Sequence, residues 1–263
     1  MTFLGYGVDF WIIAFIAVAL IGLSKAGFGG GVGAIATPLM ALIMPVPEAA
    51  ALLLPILILA DQAAVYKYRN RFDAKTIWVA LPGAIIGIGI AWFAFDQLQS
   101  AENERALKIG IGVISIAFLV FQLSREYVFK RIDGIRLPDW AGFALGATSG
   151  FTSTLAHVGG PPFHIYLIPQ KLDRDIFVGT NSWMFWAVNL IKLIPFGFLG
   201  LLTIGNLTIT LVLIPFVIMG VYLGFWLNGR MRQDVFNWII YILLAVTGVQ
   251  LILGRSLLSL ILG

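Results

Sequence analysis

The amino-acid sequence predicts an all-α polytopic membrane protein made of two inverted-topology repeats, each a broken or re-entrant helix pair followed by three transmembrane helices. Three observations carry that prediction. Long apolar tracts are separated by sparse charge, each half holds one small-residue break, and the placement of Lys and Arg orients the halves oppositely.

Of the 263 residues, 60% are hydrophobic and only 11% charged, where a soluble domain carries about a quarter of its residues as charges. Several tracts exceed the roughly 20 residues needed to cross a hydrocarbon core, and a soluble fold would need a larger core than one such domain encloses. The net charge of +4 reads as Lys and Arg retained on cytoplasmic loops rather than as a nucleic-acid surface. There is no cysteine, which excludes disulfides, zinc-thiolate sites and thiol catalysis; no cofactor or metal is expected. The opening MTFLGYGVDFW has no basic n-region and no small-residue cleavage site, so no removable signal peptide is expected.

Apolar segments lie at 8–24, 32–46, 48–66, 76–95 and 105–124, and again at 140–156, 161–170, 175–198, 206–228 and 235–254. The polar stretch Arg125–Asp139 between the two sets is the internal boundary. It divides the chain into a first repeat, 1–124, a cytoplasmic linker, 125–139, and a second repeat, 140–263. In each half the first two segments are interrupted, by Ser24-Lys25-Ala26-Gly27-Phe28-Gly29-Gly30-Gly31 and by Thr152-Ser153-Thr154-Leu155-Ala156-His157-Val158-Gly159-Gly160-Pro161-Pro162. Continuous helix through such runs is unfavourable, because glycine raises the entropic cost and proline removes a donor.

Charge fixes orientation. Lys67, Arg69, Arg71 and Lys75 crowd one loop, Arg125, Lys130, Arg131 and Arg136 the linker, and Arg230 and Arg232 the last turn; all three are cytoplasmic by the positive-inside rule. The loop at 96–104 carries Asp96, Glu102 and Glu104, and 199–205 carries no charge, as suits the outside. The segment at 48–66 then runs inward and that at 175–198 outward. The first broken pair begins and ends outside, the second inside, which is the inverted arrangement of many secondary transporters.

Irregular backbone at membrane depth persists only where it is buried in protein or lines a wet cavity. Helices restarting at Val32 and Pro161 present free N–H groups and a positive dipole end, which suit an anion, and Pro161 fits a first helical position. Gly29, Gly30, Gly31, Gly159 and Gly160 allow close backbone approach, while Thr152, Ser153 and Thr154 supply hydroxyl donors. Lys25 lies about 25 Å along its helix from the outer end, too deep for easy snorkelling, and His157 holds the equivalent place in the second half. A buried ionisable group is costly and marks a functional candidate. Thr180 and Asn181 face the second break and can complete the site.

Aligning the halves sets Asp61 opposite Asn189. Asp61, about 9 Å inside its helix end, is a candidate carrier of a coupling proton, or an interfacial carboxylate reaching water and loop lysines. Lys192 falls near the outer end of its span, where it either attracts anions or snorkels. The bland readings stand beside these. Gly27 with Gly31, or Gly29 with Gly33, fits small-xxx-small helix packing. Lys25 and His157 can each be satisfied structurally, and His164 is expected to be structural. The run Gly31-Val32-Gly33-Ala34-Ile35-Ala36 matches a dinucleotide fingerprint only formally, because no strand precedes it.

The run Gly22-Leu23-Ser24-Lys25-Ala26-Gly27-Phe28-Gly29-Gly30-Gly31, followed by Thr37-Pro38-Leu39, resembles the first glycine-rich motif of the TauE/SafE family of sulfite and sulfonate exporters. Ser149-Gly150-Phe151-Thr152-Ser153 with Ala156-His157-Val158-Gly159-Gly160-Pro161-Pro162 is similar to its second motif, and Phe177–Asn181 and Asn189–Lys192 continue the similarity. The second break departs from the more symmetric family form, since His157 and neighbouring hydroxyls replace some of its glycine. The resemblance implies a bacterial inner-membrane permease for sulfur-containing or organic anions. Together these features predict a secondary transporter of a small anion working by alternating access, with protons as a candidate coupling ion. A passive anion channel, an intramembrane enzyme built on Ser153 and His157, and a purely structural subunit are the competing classes.

Overall fold

The computed structural model describes residues 3–25, 32–98, 103–132, 135, 137–228, 230 and 233–254, without the side chains of 24–25, 32–33, 224–225, 227–228 and 233–236. These residues form ten α-helices: α1 Val8–Lys25, α2 Ala36–Ala41, α3 Val46–Lys67, α4 Ala74–Leu98, α5 Glu104–Ile132, α6 Asp139–Ala156, α7 Gly160–Leu167, α8 Arg174–Phe198, α9 Ile204–Asn228 and α10 Gln233–Leu253. A 3-10 turn, Val32–Ile35, leads into α2, and another, Ile168–Gln170, follows α7. Among the described residues, α3, α4, α5 and the stretch Ile204–Leu223 of α9 are long and apolar enough to cross a membrane. The protein is an all-α, multi-pass membrane protein.

The helix ends follow local chemistry. Pro45 bars helical backbone in the residue before it, so α2 stops at Ala41 and the chain turns before α3 opens with Pro47 in its first turn. Asp73 caps α4: its carboxylate accepts the Thr76 N–H at 2.9 Å. The fifth apolar segment, expected to end at 124, is part of a longer helix: α5 continues through Ser124-Arg125-Glu126-Tyr127-Val128-Phe129-Lys130-Arg131 to Ile132. Those residues are polar but helix-compatible, and apolar positions at 128, 129 and 132 continue the helix.

Four helix pairs build the body. α1 packs on α9, α4 on α6, α3 on α8, and α5 on α10. The first two pairs run parallel: Phe15 stacks on Phe216 while Gly220 meets the Ala19 carbonyl, and Gly146 and Gly150 meet the carbonyls of Ala80 and Ala84. The other two run antiparallel, with Gln62 bonded to Trp186 and Gly179 against Arg71 in one, and Gly112 against Gly248 and Arg105 against Leu251 in the other. Glycine lets α4 and α6 touch backbone to backbone. A Cβ at Gly83, Gly87, Gly146 or Gly150 would stand 1.9–2.1 Å from a carbonyl oxygen of the opposite helix.

One end of the molecule gathers the positively charged loop. Arg71 pairs with Asp175 at the start of α8, the Asp73 N–H donates to Thr180 Oγ1 at 2.8 Å, and Thr76 lies 2.5 Å from Gln170 at the end of the α6–α7 pair. The end of the α6–α7 pair and the start of α8 therefore lie at the same end of the molecule as the α3–α4 loop. At the other end, the Arg105 guanidinium donates to the Leu251 carbonyl at 2.9 Å and neutralises the C-terminal dipole of α10.

Candidate functional site

The second break is built around a left-handed residue. Helix α6 ends at Ala156, and His157 takes φ 56°, ψ 28° while its N–H bonds the Ser153 carbonyl, the αL way of closing a helix. Glycine or asparagine usually fills that position, since a side chain there costs about 1–2 kcal/mol. His157 is held in it by its ring. Nε2 lies 3.0 Å from the Ala50 carbonyl on α3, and Nδ1 lies 2.9 Å from Lys192 Nζ on α8. A carbonyl only accepts, so Nε2 carries hydrogen; facing an ammonium, Nδ1 is the acceptor, and the imidazole is neutral.

Lys192 is the centre of the arrangement. It has no solvent exposure, and Nζ donates to the Ser153 carbonyl at 3.0 Å, Ser153 Oγ at 3.2 Å and His157 Nδ1 at 2.9 Å. All three acceptors are neutral. One turn before it on α8, Asn189 Nδ2 donates to the Asp61 carboxylate of α3 at 2.8 Å, and the charge of that carboxylate also acts on Lys192. Ser153 lies about 21 Å along α6 from its first residue, near the far end of that helix. An ammonium so placed, with no carboxylate bonded to it among the described residues, is expensive unless negative charge comes to it.

The residues that follow the first break pack in one cluster with those of the second. Ala34 and Ile35, just after the first, belong to the same buried cluster as Leu155, Ala156 and Val158 at the second, together with Ala50 of α3 and Phe196 of α8. Gly29, Gly30 and Gly31 lie outside the described residues, as does the Lys25 side chain.

The remaining candidates divide. Thr152 and Thr154 donate back to the Thr148 and Gly150 carbonyls of their own helix, at 2.9 and 2.8 Å. Gly159 is a packing position, because a Cβ there would meet the Phe185 ring at 2.7 Å and the Ser149 carbonyl at 2.9 Å. Gly160 opens α7, with Pro161 and Pro162 next. The two prolines leave Gly160 and Phe163 as the only N–H groups among the first four residues of that helix, a smaller amino-end donor set than the break promised. Thr180 is turned to Asp73 and to the Ile176 carbonyl, about 18 Å along α8 from Lys192. Asn181 accepts from His164 Nε2 at 2.9 Å, and His164 in turn lies beside Gly160. Asp61 and Asn189, matched by aligning the halves, are in direct contact. Lys192 is the chief surprise: expected near an interface, it is wholly enclosed by partners 35 and 39 residues away in sequence. Only the Asn189–Lys192 spacing of one helical turn, polar groups on a buried face, hinted at it.

A family model described as sulfite exporter TauE/SafE matches residues 14–251. The chain belongs to the TauE/SafE family. Comparison with curated proteins and with solved structures gave no match. Membership makes this a transporter-family membrane protein, and the geometry of its Ser153–His157 pair agrees: both imidazole nitrogens are committed, neither to Ser153 Oγ, so the ring is not set to take the serine proton.

The strained cap gives a test within this TauE/SafE chain. His157→Ala should destabilise the folded protein by about 2–4 kcal/mol, from two lost hydrogen bonds, one of them to a charged group. His157→Gly should recover about 1 kcal/mol of that, since glycine takes positive φ without penalty. Chemical denaturation in detergent reads both, and equal stabilities for the two variants would show that the left-handed backbone carries no strain.

Proposed function

We propose that this protein is a secondary carrier of a small sulfur-containing or organic anion, of the sulfite and sulfonate class, acting by alternating access in the bacterial plasma membrane. The observation that carries this reading is the fully buried Lys192 ammonium, whose hydrogen bonds among the described residues all go to neutral acceptors of the second break. A small anion brought to it would pair with the ammonium directly, adding to the Asp61 charge that already acts on it, in a region of low dielectric where such a pair is strong. The chain's family supports the class of cargo.

The helix pairing supports an inverted-topology repeat with boundaries at 1–124 and 140–263. Matching α1–α5 to α6–α10 in order turns the α1·α9 contact into α6·α4, both parallel, and leaves α3·α8 and α5·α10 as self-matched antiparallel pairs. A two-fold axis in the membrane plane has that effect; parallel repeats would make the self-matched pairs parallel. Helices α4 and α9 also each carry one internal proline, Pro82 and Pro215. Rocking of one set against the other about a central site is the motion such a design permits.

Purified protein in liposomes tests the reading. A sulfonate such as ethanesulfonate, or sulfite, should enter with saturable kinetics, and unlabelled anion on the far side should accelerate exchange of label. Flux linear in concentration without exchange would identify a channel, and the absence of flux for sulfite, sulfonates and carboxylates alike would overturn anion transport.

A further inference from the structure

The cations of this protein are held differently at its two ends. Asn103, just before α5, bonds the Gln97 carbonyl near the end of α4 at 3.4 Å. Helix α5 also touches the Ile168–Gln170 turn, which Thr76 ties to the start of α4. It therefore finishes at the end of the molecule that holds the α3–α4 loop. Its antiparallel partner α10 begins there, and α9 stops at Asn228, just ahead of α10. The ends of α3, α5 and α9 thus lie on one side.

On that side exposed cations lie over aromatic rings. The Arg69 guanidinium stands 5.0 Å from the Tyr66 ring centre, Arg131 5.2 Å from Tyr127 and Arg230 4.6 Å from Trp226, while Lys67 Nζ stands 5.3 Å from Tyr68. None of the four cations is paired with a carboxylate among the described residues. The opposite end differs. Its two described cations are taken, Lys108 by Glu104 at 2.7 Å and Arg105 by the carbonyls of Leu251 and Ile252.

The rings Tyr66, Tyr127 and Trp226 are more than half exposed, and each ends a stripe of exposed apolar side chains at helical spacing. Leu59 lies seven residues before Tyr66, Val113 and Val120 precede Tyr127 by two and one heptads, and Met219 and Tyr222 lead to Trp226. The sidedness of Lys and Arg in membrane proteins accounts for cations at this end. It does not account for a ring beneath each, at the top of an apolar stripe on three separate helices.

We propose that the ends of α3, α5 and α9 are binding sites for anionic phospholipids, each headgroup phosphate held by a guanidinium that lies over an aromatic ring. The acyl chains cover the stripe below. An amphipathic ring at the interface keeps its face in hydrocarbon and holds the guanidinium at headgroup height. Arg131 donates one N–H to the Tyr127 hydroxyl and Arg230 one to the Trp226 carbonyl, which leaves most of each fork for phosphate oxygens. A zwitterionic headgroup brings its own cation to that phosphate, so an anionic one is preferred.

The experiment is thermal unfolding of the full chain in detergent at low ionic strength, with phosphatidylglycerol, phosphatidylcholine or inorganic phosphate added. Phosphatidylglycerol should raise the melting temperature by about 5 °C, and the other two should not. In the triple variant Arg69→Gln, Arg131→Gln, Arg230→Gln, apparent affinity for phosphatidylglycerol should fall by about a hundredfold, about fivefold for each cation lost. Lys108→Gln, at the opposite end, should bind it as the unaltered chain does. Equal responses to the two lipids overturn the proposal, as does a triple variant with unaltered affinity. Stabilisation by inorganic phosphate alone would also overturn it, by identifying a site for a soluble anion. Should the triple variant not fold, the three single variants decide: a loss of about fivefold in each supports the lipid sites, and no loss in any removes them.

Discussion

Lys192→Met should lower anion affinity and transport by at least about a hundredfold, the equivalent of losing a charge-assisted contact worth about 3 kcal/mol. Methionine follows the length of the lysine stem, so the packing of α8 against α3 and α6 is kept. The acceptors that Nζ now satisfies, the Ser153 carbonyl, Ser153 Oγ and His157 Nδ1, lose a donor. The protein is relieved in return of a buried ammonium, whose removal from water costs several kcal/mol. These contributions oppose each other, so stability should change far less than affinity. Calorimetric titration with a sulfonate, alongside denaturation of the same sample, separates the two. A Lys192→Met protein that binds as well as the unaltered chain would mean that the lysine only ties α8 to the second break.

The second large effect belongs to the α4–α6 contact. Gly87→Ala places a Cβ where the Ala147 carbonyl oxygen now stands only 1.9 Å away, and backbone cannot yield as a flexible side chain can. The helices must separate, and the close approach at Gly83, Gly146 and Gly150 loosens with them. A cost of about 3 kcal/mol, the upper end for overpacking a tight core, is expected. Gly89, two residues along the same helix, provides the control: a Cβ there meets nothing within 4 Å. Gly89→Ala should instead stabilise by about 0.5–1 kcal/mol through helix propensity alone. If both alanines had the same effect in a denaturation assay, the packing account of this glycine pair would be lost.

Much of the architecture could be read from the sequence, because its elements are bounded by local chemistry. Runs of apolar residues ending at charged loops or at Gly159-Gly160-Pro161-Pro162 gave most helix ends within a few residues, whereas the segment expected to reach 46 stops at Ala41 ahead of Pro45. The Asp61–Asn189 contact was reachable for a different reason. Equivalent positions near the axis of an inverted repeat are brought face to face, so aligning the halves proposes contacts as well as equivalences. What depended on lateral packing was not legible. Hydropathy gives the depth of Lys192 along its helix but says nothing of which side chains surround it there, and its partners come from α6. Thr180 looked like a site hydroxyl because of its neighbourhood in sequence, yet the Asp73 N–H at the start of α4 had a prior claim on it. The end of α5 was hidden because polar residues that suit a loop also suit a solvated helix.

Helix α5 has a mechanical consequence. Its 29 residues span about 43 Å, well beyond a hydrocarbon core of about 30 Å, so such a core cannot enclose its whole length and it can act as a stiff lever. Six residues of sequence separate Ile132 from Asp139, and Asp139 begins the helix that carries Ser153. A tilt of roughly 10° about the outer end of such a lever sweeps the inner tip by about 8 Å, more than a slack coil would transmit. Lengthening that connection would uncouple the two arms, and shortening it would yoke them.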